Sequence, residues 1–129
     1  MKQQTILWFR VDLRLSDNPA LKKAIDLNLP VLPIFIYDEE DAKSRSLGAA
    51  SKWWLHKSLE NLSNELELVG SKLLIFRGKA EEVLQKLIDD TKATNVLWNR
   101  RYEPWAVKRD RLIKEKLSAQ SINVMSFNG

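Results

Sequence analysis

Seven consecutive residues, Asn99-Arg100-Arg101-Tyr102-Glu103-Pro104-Trp105, bring together an amide, two guanidinium groups, a phenol, a carboxylate and an indole. That mixture supplies hydrogen-bond donors, charge of both signs and stacking surface, as the grip on a planar polar aromatic ligand requires. A second set, Arg10, Asp12, Arg14 and Asp17, alternates in sign just before Asn18-Pro19. A third begins at Tyr37-Asp38 and continues through Glu39, Glu40 and Asp41. Each has a plainer reading. Arg100 and Arg101 can pair with Glu103 and the acidic run while Tyr102 and Trp105 pack, and the four charges from Arg10 to Asp17 can lock one loop by ion pairs, since half-buried charges must be paired. The run from Asp38 to Asp41 reads better as a solvated loop than as a cation site, because a hard cation needs several oxygens in fixed geometry.

Other chemistry is nearly excluded. The 129 residues contain no cysteine, so there is no disulfide framework, thiolate zinc site or cysteine nucleophile, which suits a reducing cytoplasm. His56 is the only histidine and falls in a helical pattern, where it reads as a surface or packing residue, so no histidine triad or multi-histidine metal site is expected. Neither a G-x-G-x-x-G after the first strand nor a G-x-x-x-x-G-K-[ST] occurs, so phosphate-driven nucleotide binding is not encoded in the usual way. No apolar run is long enough to cross a bilayer, and no signal-peptide pattern is visible at the amino terminus. The net charge of +4 favours polyanions only weakly, because bases interleave with acids at helical spacing, as in Asp110–Lys114 and Arg111–Glu115, and a self-paired helix face is expected there.

The elements that must position these groups follow from periodicity. Ile6-Leu7-Trp8-Phe9 reads as a strand ending at Arg10, and Asp17 or Asn18 with Pro19 starts a helix through Leu27. Val31 to Tyr37 is a continuous apolar run, as in a strand buried on both faces, although Pro33 cannot donate to a ladder. Trp54, Leu55, Leu59, Leu62, Leu66 and Val69 outline a long helix that stops at Gly70, with Trp54 in the core and Trp53 at a groove or interface. Lys72–Arg77, Asn95–Asn99 and Ile122–Phe127 read as three more strands, separated by helices over Ala80–Thr91 and from Pro104 through Leu117. Five strands alternating with four helices predict one α/β domain, a Rossmann-like, doubly wound, three-layer fold around a five-stranded parallel sheet. In such a domain the strand carboxyl ends, where all three chemical sets fall, are where ligands bind.

Three segments also resemble one family. FRVDLRLSDNPAL is similar to the opening signature of the DNA photolyase/cryptochrome family, GAASKWWLHKSLENLSNEL to a second segment, and NRRYEPWAVKRD to a third, so that together the matches span nearly the whole chain. The resemblance implies an amino-terminal antenna-binding domain of a light-dependent DNA repair enzyme, a deoxyribodipyrimidine photolyase, without catalysis of its own. The catalytic FAD and the damaged-DNA cavity would belong to a larger helical domain after Gly129, which would also be this domain's partner. It implies an antenna chromophore, a methenyltetrahydrofolate or a deazaflavin, held by Tyr37, Asp38, Asn99, Arg101, Tyr102, Glu103 and Trp105. Arg10, Asp12, Arg14, Asp17 and Asn18 would form a loop network at the sheet edge.

Two positions depart from the family pattern. Folate-binding members carry an acid about where Ala106 stands, and deazaflavin-type members an aspartate where Arg101 aligns. The alternatives are a cryptochrome blue-light receptor domain and a free-standing nucleotide-binding module of the universal-stress or electron-transfer-flavoprotein type. A domain cut from its neighbour is expected to self-associate weakly through the surface left exposed.

Overall fold

The computed structural model describes residues 4–10, 13, 15–37 and 49–128, for 49–52 the backbone alone. The elements run β1 (Thr5–Phe9), α1 (Pro19–Asp26), β2 (Val31–Tyr37), α2 (Ala49–Leu68), β3 (Leu74–Arg77), α3 (Ala80–Thr91), β4 (Asn95–Asn99), α4 (Pro104–Ser118) and β5 (Asn123–Phe127). All four strand pairings are parallel, in the order β3-β2-β1-β4-β5, so the expected alternation and parallel sheet are both present.

Alternation along β1 divides the core in two. Ile6 and Trp8 point to the face covered by α3 and α4, where they meet Leu84, Leu87, Ile88, Ile113 and Leu117. Leu7 and Phe9 point to the other face and meet Ala20 and Ala24 of α1 with Leu62 and Leu66 of α2. Every residue of β1 is buried, as a central strand of a two-sided sheet requires. Pro33 is accommodated in β2 because pairing with β3 begins only at Ile34, opposite Leu74, so no β3 acceptor is left without a donor there.

The helix ends follow their residue types. Asn18 caps α1, its Oδ1 accepting from the Leu21 amide at 3.0 Å, and Pro19 takes the first helical position. α2 stops at Gly70, whose φ of +79° suits a residue without Cβ, and the Ser71 and Gly70 amides donate back to Leu66 and Glu67.

Several expectations are corrected. Trp54 is not in the core: it is 68% exposed and Trp53 is 61% exposed. The buried stripe of α2 runs through Leu55, Leu59, Leu62 and Leu66, and Trp54, one residue from Leu55, projects about 100° away. Val69 also lies outside that stripe, beyond the last turn, and is exposed. Ile25 faces solvent, the small Ala20 and Ala24 making the contact of α1 with the sheet. Asp110 does not stand on a solvated face pairing with Lys114; it is buried under α4.

Candidate functional site at the carboxyl edge

The chain adds β2 and β3 on one side of β1 and then returns to place β4 and β5 on the other. The crevice beyond the carboxyl ends of β1 and β4 is therefore the switch point of the sheet, the usual ligand position in this architecture. Arg10 leaves β1 at this crevice, and Asn99, Arg100 and Arg101 leave β4 beside it.

Arg10 is buried and forms the floor. Its Nη1 donates to Asp110 Oδ2 at 2.6 Å and its Nη2 to the Asn99 carbonyl at 2.6 Å. Its guanidinium carbon lies 4.9 Å from the Trp8 ring centre and 5.7 Å from that of Trp98, and the two indoles meet edge to face at 5.4 Å. Burial lowers the pKa of Arg10, the charge and hydrogen bond of Asp110 oppose that shift, and the nearby Arg109 and Arg101 add to it.

Above this floor, arginine and tryptophan alternate. Arg109 of α4 lies 5.3 Å from the Trp8 ring and 5.0 Å from the Trp105 ring, and Arg101 lies on Trp105 at 4.8 Å. Arg101 is itself buried and hydrogen-bonds the Glu103 carboxylate. Burial pushes the Glu103 carboxyl up, but the Arg101 hydrogen bond, the backbone bonds and the Arg101 charge together hold it below the ordinary carboxylate range. Proline at 104 starts α4 immediately afterwards, which fixes the direction in which Trp105 leaves the loop.

The amide of Asn99 ties this edge to α1. Its Oδ1 accepts from the Ala20 amide at 3.0 Å and its Nδ2 donates to Asn18 Oδ1 at 2.7 Å. Both ends of the carboxamide therefore hold the start of α1. On the far side of the loop, the Arg100 amide donates to the Phe127 carbonyl, its Nε to Ser126 Oγ, and the Tyr102 hydroxyl to Asn128 Oδ1 at 2.6 Å.

Between this loop, α4 and the end of β5 opens a cavity of about 360 Å³, lined by Trp98, Arg100, Arg101, Tyr102, Val107, Asp110, Arg111, Lys114 and Ser126. Its size falls within the range of small-ligand sites, and its walls combine apolar surface with convergent polar groups.

The structure thus gathers Arg10, Asn18, Asn99, Arg101, Tyr102, Glu103 and Trp105 along one edge. Tyr37 ends β2 on the other side of β1, stacked by the Arg77 guanidinium at 5.2 Å and accepting a hydrogen bond from the Gly78 amide. Asp17 is exposed, with φ +48°, in the turn that leads to Asn18. Asp12, Arg14 and Asp38 lie outside the described residues, as do Glu39, Glu40 and Asp41. Among the described residues no cluster of carboxylates or histidines has the makings of a metal site, and His56 stands exposed on α2, 3.9 Å from Glu60. No described helix is long and apolar enough to cross a membrane.

Four contributors escaped the sequence reading: Trp8, Trp98, Arg109 and Asp110. For Asp110 the signal existed, because Ala106, Asp110, Ile113 and Leu117 follow core spacing on α4 and an acid there demands a buried cation.

Comparison with known proteins agrees over the whole length. The DNA photolyase family model matches residues 5–129. A deoxyribodipyrimidine photo-lyase of Agrobacterium fabrum is 45% identical over 96% of this chain, and cryptochrome-2 of Arabidopsis thaliana is 40% identical over all of it, this chain covering 25% and 21% of those proteins. The crystal structure of a class III photolyase from Agrobacterium tumefaciens superposes with a TM-score of 0.91 at 42% identity, covering the full chain and 26% of that protein. An archaeal photolyase from Sulfolobus tokodaii, described with two FAD molecules and a novel light-harvesting cofactor, superposes at 0.82 with 28% identity, over 98% of this chain and 29% of its own. The chain therefore spans about a quarter of the length of the relatives it matches.

Proposed function

This chain belongs to the DNA photolyase family, as its amino-terminal α/β domain, and we propose that within it the domain holds a light-harvesting chromophore at its carboxyl edge and performs no bond chemistry itself. The observation that carries this reading is the cavity of about 360 Å³ beside the β4–α4 loop, lined by Arg101 and the anchored Tyr102, with Trp105 stacked on Arg101 in the same segment. A planar heteroaromatic ligand finds there an aromatic wall, fixed cations and a dry floor. The light-harvesting cofactor described for the Sulfolobus tokodaii relative supports the reading.

The residues present fit such a ligand unequally. Tyr102 and Trp105 offer ring surface and Arg101 a cation held in place by Glu103, whereas the carboxamide of Asn99 is committed to α1 and its role is to set the edge. Tyr37 closes the opposite end of the edge, with Asp38 following it in sequence. Ala106 is fully buried and offers no acidic anchor where folate-binding members have one. A chromophore held there would supply absorption of near-ultraviolet or blue light for use by a flavin bound in the full-length protein. Trp8, Arg10, Asp110 and Arg109 hold the edge rigid, exclude water from beneath it and fix the direction of Arg101 and Trp105.

For the full-length protein we infer light-dependent repair of pyrimidine dimers, with FAD and damaged DNA bound by a further, larger domain that packs on this one. Full-length protein incubated with dimer-containing DNA should repair it under blue light and not in the dark; equal repair in the dark would overturn the assignment. The 40% identity to a cryptochrome favours a second reading, a blue-light receptor, which the same assay separates: photoreduction without repair.

A further inference from the structure

The residue that follows β5 combines a reactive sequence with an unusual anchorage. Asn128 comes directly after Phe127, the last residue of the strand, is exposed to solvent, and precedes Gly129 in the sequence. In an asparagine–glycine pair the following backbone nitrogen can attack the asparagine side-chain amide with least hindrance, because glycine has no Cβ to crowd the approach.

The fold holds the carbonyl oxygen of that amide between two donors. Asn128 Oδ1 accepts from the Tyr102 hydroxyl at 2.6 Å and from Arg100 Nη1 at 3.3 Å. A guanidinium only donates, so the atom facing it is the oxygen and not the amide nitrogen. Arg100 is itself fixed, its Nε donating to Ser126 Oγ at 3.0 Å and its backbone amide to the Phe127 carbonyl at 2.7 Å. Two positioned donors, one of them charged, stabilise the negative charge that develops on a carbonyl oxygen when a nucleophile adds to its carbon.

We propose that Asn128 is a modification site, a side-chain amide that the folded protein converts slowly to a carboxylate with Tyr102 and Arg100 accelerating the step. The Gly129 nitrogen, giving up its proton to solvent, bonds to Asn128 Cγ, and the Cγ–Nδ2 bond breaks as Nδ2 takes up a proton and leaves as ammonia. Water then opens the cyclic imide at either carbonyl, giving aspartate or isoaspartate, with nothing oxidised or reduced. The new carboxylate faces Arg100, whose hydrogen bonds to Ser126 and Asn128 are to neutral groups, so a neutral contact becomes an ion pair between β5 and the β4–α4 loop. The site is independent of any ligand held at the carboxyl edge.

The test ages the full-length protein in mildly alkaline buffer and follows the peptide containing Asn128 by mass spectrometry, beside a sample held unfolded in urea. Native protein should convert Asn128 faster than unfolded protein, and Tyr102→Phe and Arg100→Gln should each slow the native rate severalfold while leaving the unfolded rate unchanged. Gly129→Val should slow both rates. Asn128→Asp, which carries the product from the start, should melt above the original protein at low salt, an advantage that shrinks at high salt and vanishes in the Arg100→Gln background. A native rate below the unfolded one, or native rates that neither Tyr102→Phe nor Arg100→Gln changes, would overturn the proposal. An Asn128→Asp protein whose melting temperature is indifferent to Arg100 would overturn the ion pair.

Discussion

Asp110, midway along α4, accepts a 2.6 Å hydrogen bond from the guanidinium of Arg10, a hundred residues earlier in the chain. The pair joins the end of the central strand to the helix that covers it, with side-chain exposures of 2% and 12%. Neither charge is well solvated, so each depends on the other.

Replacing Asp110 with alanine should therefore cost about 3–5 kcal/mol, the usual cost of breaking a buried ion pair by removing one member. Urea denaturation of D110A against R10M/D110L separates this from cavity formation, because the double variant removes both charges and should recover most of the loss. A D110A protein within about 1 kcal/mol of the original would contradict the pairing.

Glu103 makes a pH-dependent contribution. Its carboxyl is held below the ordinary value in the fold, so the stabilisation is fully present above its unfolded pKa of about 4.3 and disappears as pH falls through the lower folded value. The stability difference between the original chain and Glu103→Gln should be constant from pH 7 to about 5 and shrink toward zero in more acid solution. A difference that grows on acidification would show that the sign is wrong. Glu103 is partly exposed, so solvent screening keeps the effect small.

Asn18 and Asn99 act as one unit at the start of α1. Asn18→Ala removes a cap and should cost about 1–2 kcal/mol, Asn99→Ala should cost a similar amount, and the double variant should cost clearly less than the sum. Additive losses would mean that the 2.7 Å bond between the two amides carries no coupling.

The two helix-α2 positions read from one periodic pattern should separate sharply. Leu62→Ala should cost about 2–5 kcal/mol, because that side chain is buried between helix and sheet. Trp54→Ala should stay within about 0.5 kcal/mol, since the indole is 68% exposed. Thermal melts of both variants check the corrected orientation.

That contrast shows what the sequence could and could not disclose. The strands and their order of alternation with helices were legible because β1, β2 and β4 are continuous apolar runs and the helices carry clear caps and stops at Asn18-Pro19, Gly70 and Pro104. Helix rotation was less legible: with apolar residues at 53, 54 and 55, three directions compete, and only the sheet beneath decides for Leu55. The arginine-rich loop was visible as a chemical set, but its floor was not. Arg10 and Asp110 meet only because β1 and β4 are neighbours and α4 crosses behind them, a relationship that no local spacing encodes. Local pattern assigned the acid to Lys114, and the buried cation won because a charge out of water gains more from a partner than an exposed one does.

The central place of β1 has a consequence for the order in which the chain can be assembled. β1 comes first in chain order among the described strands and reaches β2 through α1, but its other neighbour, β4, begins at Asn95. Until then one backbone edge of a wholly buried strand has no partner, and Arg10 waits longer still, for Asp110. Of the four strand pairings this one spans the longest stretch of chain and carries the largest loop-entropy cost, so joining of the two halves at β1–β4 is expected to be the slow step of folding. A chain cut before β4 leaves that edge of β1 open, and one cut before α4 lacks the carboxylate that Arg10 meets in the fold, so both are expected to aggregate more readily than the whole domain.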